Sequence, residues 1–400
     1  MRVLLVMDPL IPVPPRHYGG TENVVACLIP ELRRRGVRVV LCTVGESTVA
    51  VDRRRVSFPE GQFRHLGGAY GQVVGITHSH MGHVLDELRH QRVDLVHDHL
   101  EVVGPSMLAA LGPDAPPVLQ TLHWDLKKHP EFYAGFDGRG RVFFNCVSET
   151  QRRNAPPALG AQILGAVHLA VPVQAHEFQP VKGDHFLTLG RFTHAKGADV
   201  AARLCRRLGL PLDMAGPVGG VPEPGRLLRE LEDPDSPLHG HADVRYYLDA
   251  VRPCEDGSRI AWIGTAGGAR KQALVGSAKA VLMPIRWDEP GGTAAIEALA
   301  CGTPVIAMRR GALAEIVEHG VNGFLADDED DFARWMRRAG EIDPQACRRS
   351  VEDRFSAPAM ADAYLRLYEE VLARTAHHQT NHATTPTDLG WSRPRSGAHA

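Results

Sequence analysis

Nothing in this 400-residue sequence is arranged as C-x-x-C, although seven cysteines are scattered at positions 27, 42, 146, 205, 254, 301 and 347. An odd, dispersed set argues against a disulfide framework or a cysteine-rich zinc site and fits free thiols in a reducing cytoplasm. Long apolar runs are missing too. No stretch approaches the ~20 apolar residues of a membrane span. The apolar start RVLLVM meets Asp8 at once, so it reads as a first strand rather than a secretion signal. That leaves room only for peripheral membrane contact. Net charge is almost absent: 45 Lys and Arg face 47 Asp and Glu, a formal −2, which gives no global case for nucleic acid. The dinucleotide fingerprint G-x-G-x-x-G is absent, which disfavours a nicotinamide dehydrogenase. The histidine-rich stretches THSHMGH (77–83) and HDHLE (97–101) have mixed spacings that match no zinc finger or H-E-x-x-H helix. No metal is expected, and the first stretch reads as polar loop near a substrate mouth.

What is present is an ordinary globular composition, 44% apolar and 23% charged, in a chain long enough for two domains. Short apolar runs alternate with stretches of helical spacing. RVLLVM, VRVVLCTV, VDLVH, PVLQTL and VFFNCVS read as strands, with a helix over 21–35 after the turn-rich PPRHYGGTE. Periodicity lapses in a proline-containing linker at 171–184 and then restarts with HFLTLG, LPLDMAG, RIAWIG, KAVLMPI and TPVIAM. This α/β alternation predicts two doubly wound, Rossmann-like domains, each a parallel sheet between helices, facing across a cleft. The expected boundaries are 1–175, 185–355, a helix over 356–374 crossing back to the first domain, and a disordered polar tail over 375–400.

Three segments carry chemistry. In LGRFTHAKG (189–197) a strand ends at Gly190, and Arg191 and Lys196 lie on the loop that follows. Two fixed cations at a strand's carboxyl end suit a diphosphate, although solvated surface cations would look the same locally. In WDEPGGTAAIEA (287–298), Pro290, Gly291 and Gly292 stop any helix from running through Glu289. Glu289 is therefore placed on a loop and Glu297 in the second turn of the next helix. Bare glycines at a helix start let an anion approach backbone N–H groups. HYGGTE (17–22) puts Gly19 and Gly20 between the first strand and first helix, where a tight turn alone would explain them nearly as well.

Taken together, LGRFTHAKG, EPGGTAAIEALACGTPVIA and GALAEIVEHGVNGFL resemble the retaining family-4 glycosyltransferases of the GT-B fold, with E-x7-E as Glu289 and Glu297. The resemblance is dense over 185–326 and looser over the first half, where VDLVHDHLE, TLHW and NCVSE fall at corresponding segments. It implies that Arg191 and Lys196 grip the donor diphosphate and that Glu289 faces the donor sugar. Gly291, Gly292 and Thr293 would present backbone donors, and Glu297 would hold the ribose. Gly19 and Gly20 would let the first loop approach the diphosphate, and His123 would sit over the sugar. The base would lie against backbone near Ile263 and Gly264. His99 and Glu101, after a strand end, are candidates for the acceptor.

The implied activity is transfer of a hexose from a nucleotide diphosphate sugar, UDP- or GDP-linked, to a hydroxyl acceptor with retention and without a cofactor. The YGGTE loop and the chain length are similar to small-molecule and natural-product sugar transferases. The alternative is a non-catalytic nucleotide-sugar-binding protein on the same fold.

Overall fold

A computed structural model describes residues 1–16, 19–65 and 70–383. Seven strands, β1 (Arg2–Val6), β2 (Arg38–Thr43), β3 (Arg53–Val56), β4 (Leu95–Asp98), β5 (Val118–Leu122), β6 (Val142–Cys146) and β7 (Ile163–Ala166), form one sheet in the order 3-2-1-4-5-6-7. Six more, β8 (Phe186–Leu189), β9 (Leu212–Ala215), β10 (Ile260–Trp262), β11 (Ala280–Met283), β12 (Val305–Met308) and β13 (Gly323–Ala326), form a second in the order 10-9-8-11-12-13. Every pairing is parallel. The two doubly wound domains are thus present, each reversing strand order once, between β1 and β4 and between β8 and β11.

The sheets are two-faced because side chains alternate along a strand. In β1, Val3 and Leu5 enter one apolar cluster, while Leu4 and Val6 enter another on the opposite face. The first cluster runs on without a break into the second domain, through Leu169 to Val281 and Ile296. The outer face of the second sheet has its own cluster around Phe186, Met214 and Phe332.

The chain passes between the domains twice. Val171 on the first passage donates its N–H to Phe355 O at 3.2 Å and forms a parallel bridge with Ser356 on the second. The closing helix, Ala357–Ala383, then packs on the opening helix, Gly20–Arg34, and on β5 and β7. It is longer than the sequence suggests. Residues 375–383 are helical rather than disordered, because Thr375 is still buried and its hydroxyl donates to Val371 O at 2.9 Å. The rest of the expected tail lies outside the described residues. His78, His80 and His83 are not on a loop either. They sit on the helix Tyr70–His90, where His80 is buried and bonded to Ser57 at 2.7 Å.

A carboxylate fastens the two domains on the cleft side. Glu315, in the short helix Leu313–Ile316, accepts from the backbone of Glu149 at 2.9 Å and of Thr150 at 2.6 Å. The Thr150 hydroxyl donates to it at 2.6 Å, and His168 lies 3.1 Å away. These amides open the helix Glu149–Arg153, so the negative charge meets unsatisfied N–H groups at a helix start. Bonds to a charged acceptor are each worth about 1.5–3 kcal/mol. Replacing Glu315→Gln removes the charge and leaves one oxygen for donors that now share two, so the domains should separate. Solution X-ray scattering should show a larger radius of gyration for the variant. An unchanged radius would mean that the apolar contact alone holds the domains closed.

Candidate functional site

In open α/β sheets, ligands gather beyond the carboxyl ends of the strands where the strand order reverses. Here two such points face the cleft. Beyond β1 and β4 lie Asp8, the Gly19–Gly20 turn, His99 and Glu101; beyond β8 and β11 lie Arg191, Lys196 and Glu289.

On the second-domain side, Lys196 and Glu289 are brought together, Nζ to Oε2 2.5 Å, in a partly buried ion pair. The ammonium also lies 5.2 Å from the Trp287 ring. Arg286 builds this arrangement: its N–H donates to Ala195 O at 2.8 Å, and its guanidinium donates to Asp199 at 2.6 and 2.8 Å. That fork locks the Lys196 loop to the segment leading to Glu289. Gly311 permits the next contact. A Cβ there would collide with the Glu289 backbone, whose carbonyl accepts from Ala312 N–H at 2.7 Å. Arg191 is exposed on the same loop, and among the described residues its side chain has no ion-pair partner.

The helix Thr293–Ala300 starts where the glycines require, with Gly292 at φ 61° preceding it. Thr293 is its first residue and leaves first-turn N–H groups free of helical partners. The two glycines are less bare than their sequence suggests. A side chain on Gly291 would strike Leu169 of the first domain, and one on Gly292 would meet Ile316 at 2.6 Å. Both are needed for packing as well as for approach. Glu297 is on the helix and pairs with Lys271 at 2.6 Å, a partner sequence reading missed because a lysine on helix Gly268–Ser277 looks like a solvated face. Gly264, at φ 80°, accepts from Gly216 N–H at 3.0 Å. The neighbouring carbonyl of Ile263 is taken by Arg270 at 2.8 Å.

On the first-domain side, His99 Nδ1 and His123 Nε2 are 2.8 Å apart. Burial pushes His123 down to about 3 and His99 in the same direction, so both rings are neutral. A bond between neutral rings uses one N–H and one lone pair. The two remaining nitrogens, His99 Nε2 and His123 Nδ1, are buried without partners, and they must be one donor and one acceptor. The two nitrogens lie on the far sides of the bonded rings, whose centroids are 5.1 Å apart, so they face separate points. Glu101 is turned aside into contacts with Lys128 and, at 3.2 Å, His129. Gly19 and Gly20 open the first helix; His17 and Tyr18 lie outside the described residues. Beneath the turn is a buried carboxyl that sequence reading passed over, Glu22, pushed up to about 7 by burial. Asp8 is raised to about 6, and Asp98 to about 8, by the same cause.

Between Glu289 and residues 125–127, the loop after His123, the cleft narrows to a cavity of about 40 Å³. That holds water but is far below the ~300 Å³ of ordinary small-molecule sites. A cavity of about 680 Å³ lies elsewhere, at the two chain passages between Cys27, Pro172 and Ser356, and contains none of these residues. Among the described residues no group of three or more His, Cys, Asp or Glu is arranged to hold a metal ion, and no helix is long and apolar enough to cross a membrane.

Two family models match the chain in order: Glycosyltransferase Family 4 over residues 18–152 and Glycosyl transferases group 1 over residues 174–351. A D-inositol 3-phosphate glycosyltransferase of Xylanimonas cellulosilytica is 28% identical over 89% of this chain and 93% of its own length. Shorter matches, each 38% identical, occur with the enzyme of that name from Salinispora tropica and with an uncharacterized glycosyltransferase of Methanocaldococcus jannaschii. They cover 23% and 22% of this chain, and 19% and 22% of those relatives. Among solved structures, AviGT4, a glycosyltransferase involved in avilamycin A biosynthesis, is 26% identical with TM-score 0.64, covering 93% of this chain and 98% of that one. Anabaena HepE in complex with UDP and glucose has the same fold at 15% identity and TM-score 0.61, over 92% of this chain and 100% of its own.

The buried titratable groups give the ligand-free protein a defined pH profile. His97 is held near 3 and His80 near 4, again by burial, so with His99 and His123 four histidines bind fewer protons folded than unfolded. Their contribution is lost as pH falls below about 6.5. Asp8, Glu22 and Asp98 bind more protons folded, so theirs is lost as pH rises above about 4. Between these limits the two sets nearly cancel. Above about 6.5 Glu22 and Asp98 lower stability as pH rises, and Lys182, pushed down to about 8 by burial, opposes them as pH nears 8. Below about 4 the histidines act together with lowered carboxylates such as Asp199, at about 1.4 kcal/mol per pH unit per net proton. Stability should peak near pH ~6.5, with a decline toward 8 and a steeper one below 4. Guanidinium midpoints measured across pH 3–9 check this; a midpoint that rises from 6.5 to 8 would contradict it.

Proposed function

The chain belongs to the glycosyltransferases of the GT-B fold, and on that premise we propose that it transfers a hexose from a nucleotide diphosphate sugar to a hydroxyl acceptor with retention of configuration. The observation that carries this reading is the Lys196–Glu289 ion pair at the second reversal point, 2.5 Å long and facing the first domain. An ion pair at the carboxyl end of a sheet is a ready exchange site. A diphosphate competes for the ammonium, and a sugar hydroxyl competes for the freed carboxylate.

In this mechanism the sugar C1–O bond breaks with oxocarbenium character. Negative charge gathers on the departing diphosphate, and Arg191 and Lys196 compensate it where it develops. Two fixed cations do this work without a metal ion. The acceptor oxygen attacks C1 from the face the diphosphate leaves, and its proton passes to a leaving phosphate oxygen. Glu289 positions the sugar, and Glu297 exchanges Lys271 for the ribose hydroxyls. His123, held by its bond to His99, faces the donor sugar. Gly291, Gly292 and Thr293 supply backbone N–H groups. UDP and UDP-glucose bound in HepE structures support a donor of that class. The role of AviGT4 in avilamycin A biosynthesis supports a natural-product acceptor, and the inositol-phosphate relatives support a polyol hydroxyl. A GDP-linked donor fits the same diphosphate chemistry.

A thermal-shift screen over nucleotide sugars should raise the melting temperature for one donor, since a ligand bound only by the folded state stabilises it. With that donor, Arg191→Ala and Lys196→Ala should each lower turnover by about 10²–10³. Glu289→Gln should lower it as well, and a chelator should leave it unchanged. Full turnover in all three variants would sink the assignment. Binding without release of nucleoside diphosphate would favour a non-catalytic binding protein instead.

A further inference from the structure

Beneath His123 lies a polar chain that the transfer chemistry does not itself use. His97 on β4 and Thr121 on β5 share the inner face of the first sheet with His99 and His123, because residues two apart point the same way. His97 Nε2 is 2.8 Å from Thr121 Oγ1, and its Nδ1 is 2.7 Å from Tyr368 OH. Thr121 also bonds Asn145 Oδ1 at 2.9 Å and Tyr364 OH at 3.1 Å. Both tyrosines belong to the closing helix, and His97, Thr121, Asn145, Tyr364 and Tyr368 are all fully or almost fully buried.

Proton accounting fixes the direction of the bonds at His97. The Asn145 NH2 donates to Cys146 O at 3.2 Å, which turns Oδ1 toward Thr121. An amide oxygen only accepts, so the single Thr121 proton goes there. Thr121 Oγ1 is left to accept, so His97 Nε2–H donates to it, while Tyr364 OH lies against both Thr121 and Asn145. His97 is neutral, so its Nδ1 is a lone pair and Tyr368 OH donates to it. The His97 ring is thereby held at both ends. Against it packs His99, with ring centroids 4.2 Å apart and a 41° tilt, and His99 in turn bonds His123.

We propose that Tyr368, with Tyr364 and Thr121, positions His123: it fixes the orientation and tautomer of His97, which supports His99, which holds His123 toward the substrate. The helix Ala357–Ala383 thus sets the geometry of a strand-end histidine in the first domain. The catalytic consequence rests on the proposed transferase reading, in which His123 faces the donor sugar; the coupling itself does not. Tyr368 touches no substrate in this scheme and is a positioning residue.

Nitrogen-15 spectra of histidine-labelled, ligand-free protein test the coupling without any turnover. In the unsubstituted protein His97 should be the Nε2–H tautomer. Tyr368→Phe keeps the ring and removes one hydroxyl; it should shift the ring nitrogens of His97, His99 and His123 together. Thr121→Val should do the same, and Thr121→Ser, which restores the hydroxyl, should return the spectrum. With the donor found by thermal shift, Tyr368→Phe should lower kcat by about tenfold, the worth of a hydrogen bond, with donor KM within about twofold. An Nδ1–H tautomer of His97, or His99 and His123 signals that ignore both Tyr368→Phe and Thr121→Val, overturns the proposal. Signals that move as described in a protein that turns over no nucleotide sugar uphold the coupling and reject the transferase reading.

Discussion

Val171 and Ser356 lie side by side where the chain crosses between its two domains, paired in a parallel bridge beside the bond from Val171 N–H to Phe355 O. Much else depends on that juxtaposition. It makes one hinge of two strands of chain, so the second domain cannot turn freely on a single tether. It sends the closing helix back over the first sheet, and it sets the carboxyl ends of both sheets against one cleft. The contacts across the cleft, Glu315 on the helix start at Glu149 and Leu169 against Gly291, act over short distances. They form because the paired passages have already brought the two surfaces into reach.

The two walls of the cleft solve burial differently. The second domain keeps its charges and pairs them: Lys196 with Glu289, Lys271 with Glu297, Arg286 with Asp199. The first domain buries titratable groups in neutral form, four uncharged histidines and three carboxyls displaced toward holding their protons. A wall of ion pairs facing one with a buried cluster of neutral histidines suits a substrate whose charge is confined to one end. It also lowers the local dielectric beside the ion pairs, which strengthens them.

Much of this was legible in the sequence. Both sheets follow from apolar runs separated by turn residues, and the loops with Lys196 and Glu289 stand out through glycine, proline and fixed charge. Three strands did not. β3 is RRRV on a sheet edge and reads as a basic surface, because its arginines project outward to Glu87 and Asp86. β7 and β13 are four residues each and carry glycine, too short to show a period. The partners of the site residues were hidden for a different reason. Lys271, Glu315 and Tyr368 sit at ordinary helical positions, and their roles depend on contacts from elements far away along the chain. His97, His99, Thr121 and His123 did carry a signal: polar residues two apart on successive strands, where an apolar face would be usual.

The Tyr368–His97 bond joins residues 271 positions apart. Its two halves are therefore made at very different times during synthesis. When the ribosome has finished β1–β7, the first sheet has all its strands, yet its inner face still lacks Tyr364, Leu367 and Tyr368, which are buried against it in the finished protein. Domains emerging from the N-terminus generally fold first. This one must wait with an open seam, its histidines wet, until the second domain and the helix beyond it have been translated. The helix that dries the first domain is translated only after the whole second domain.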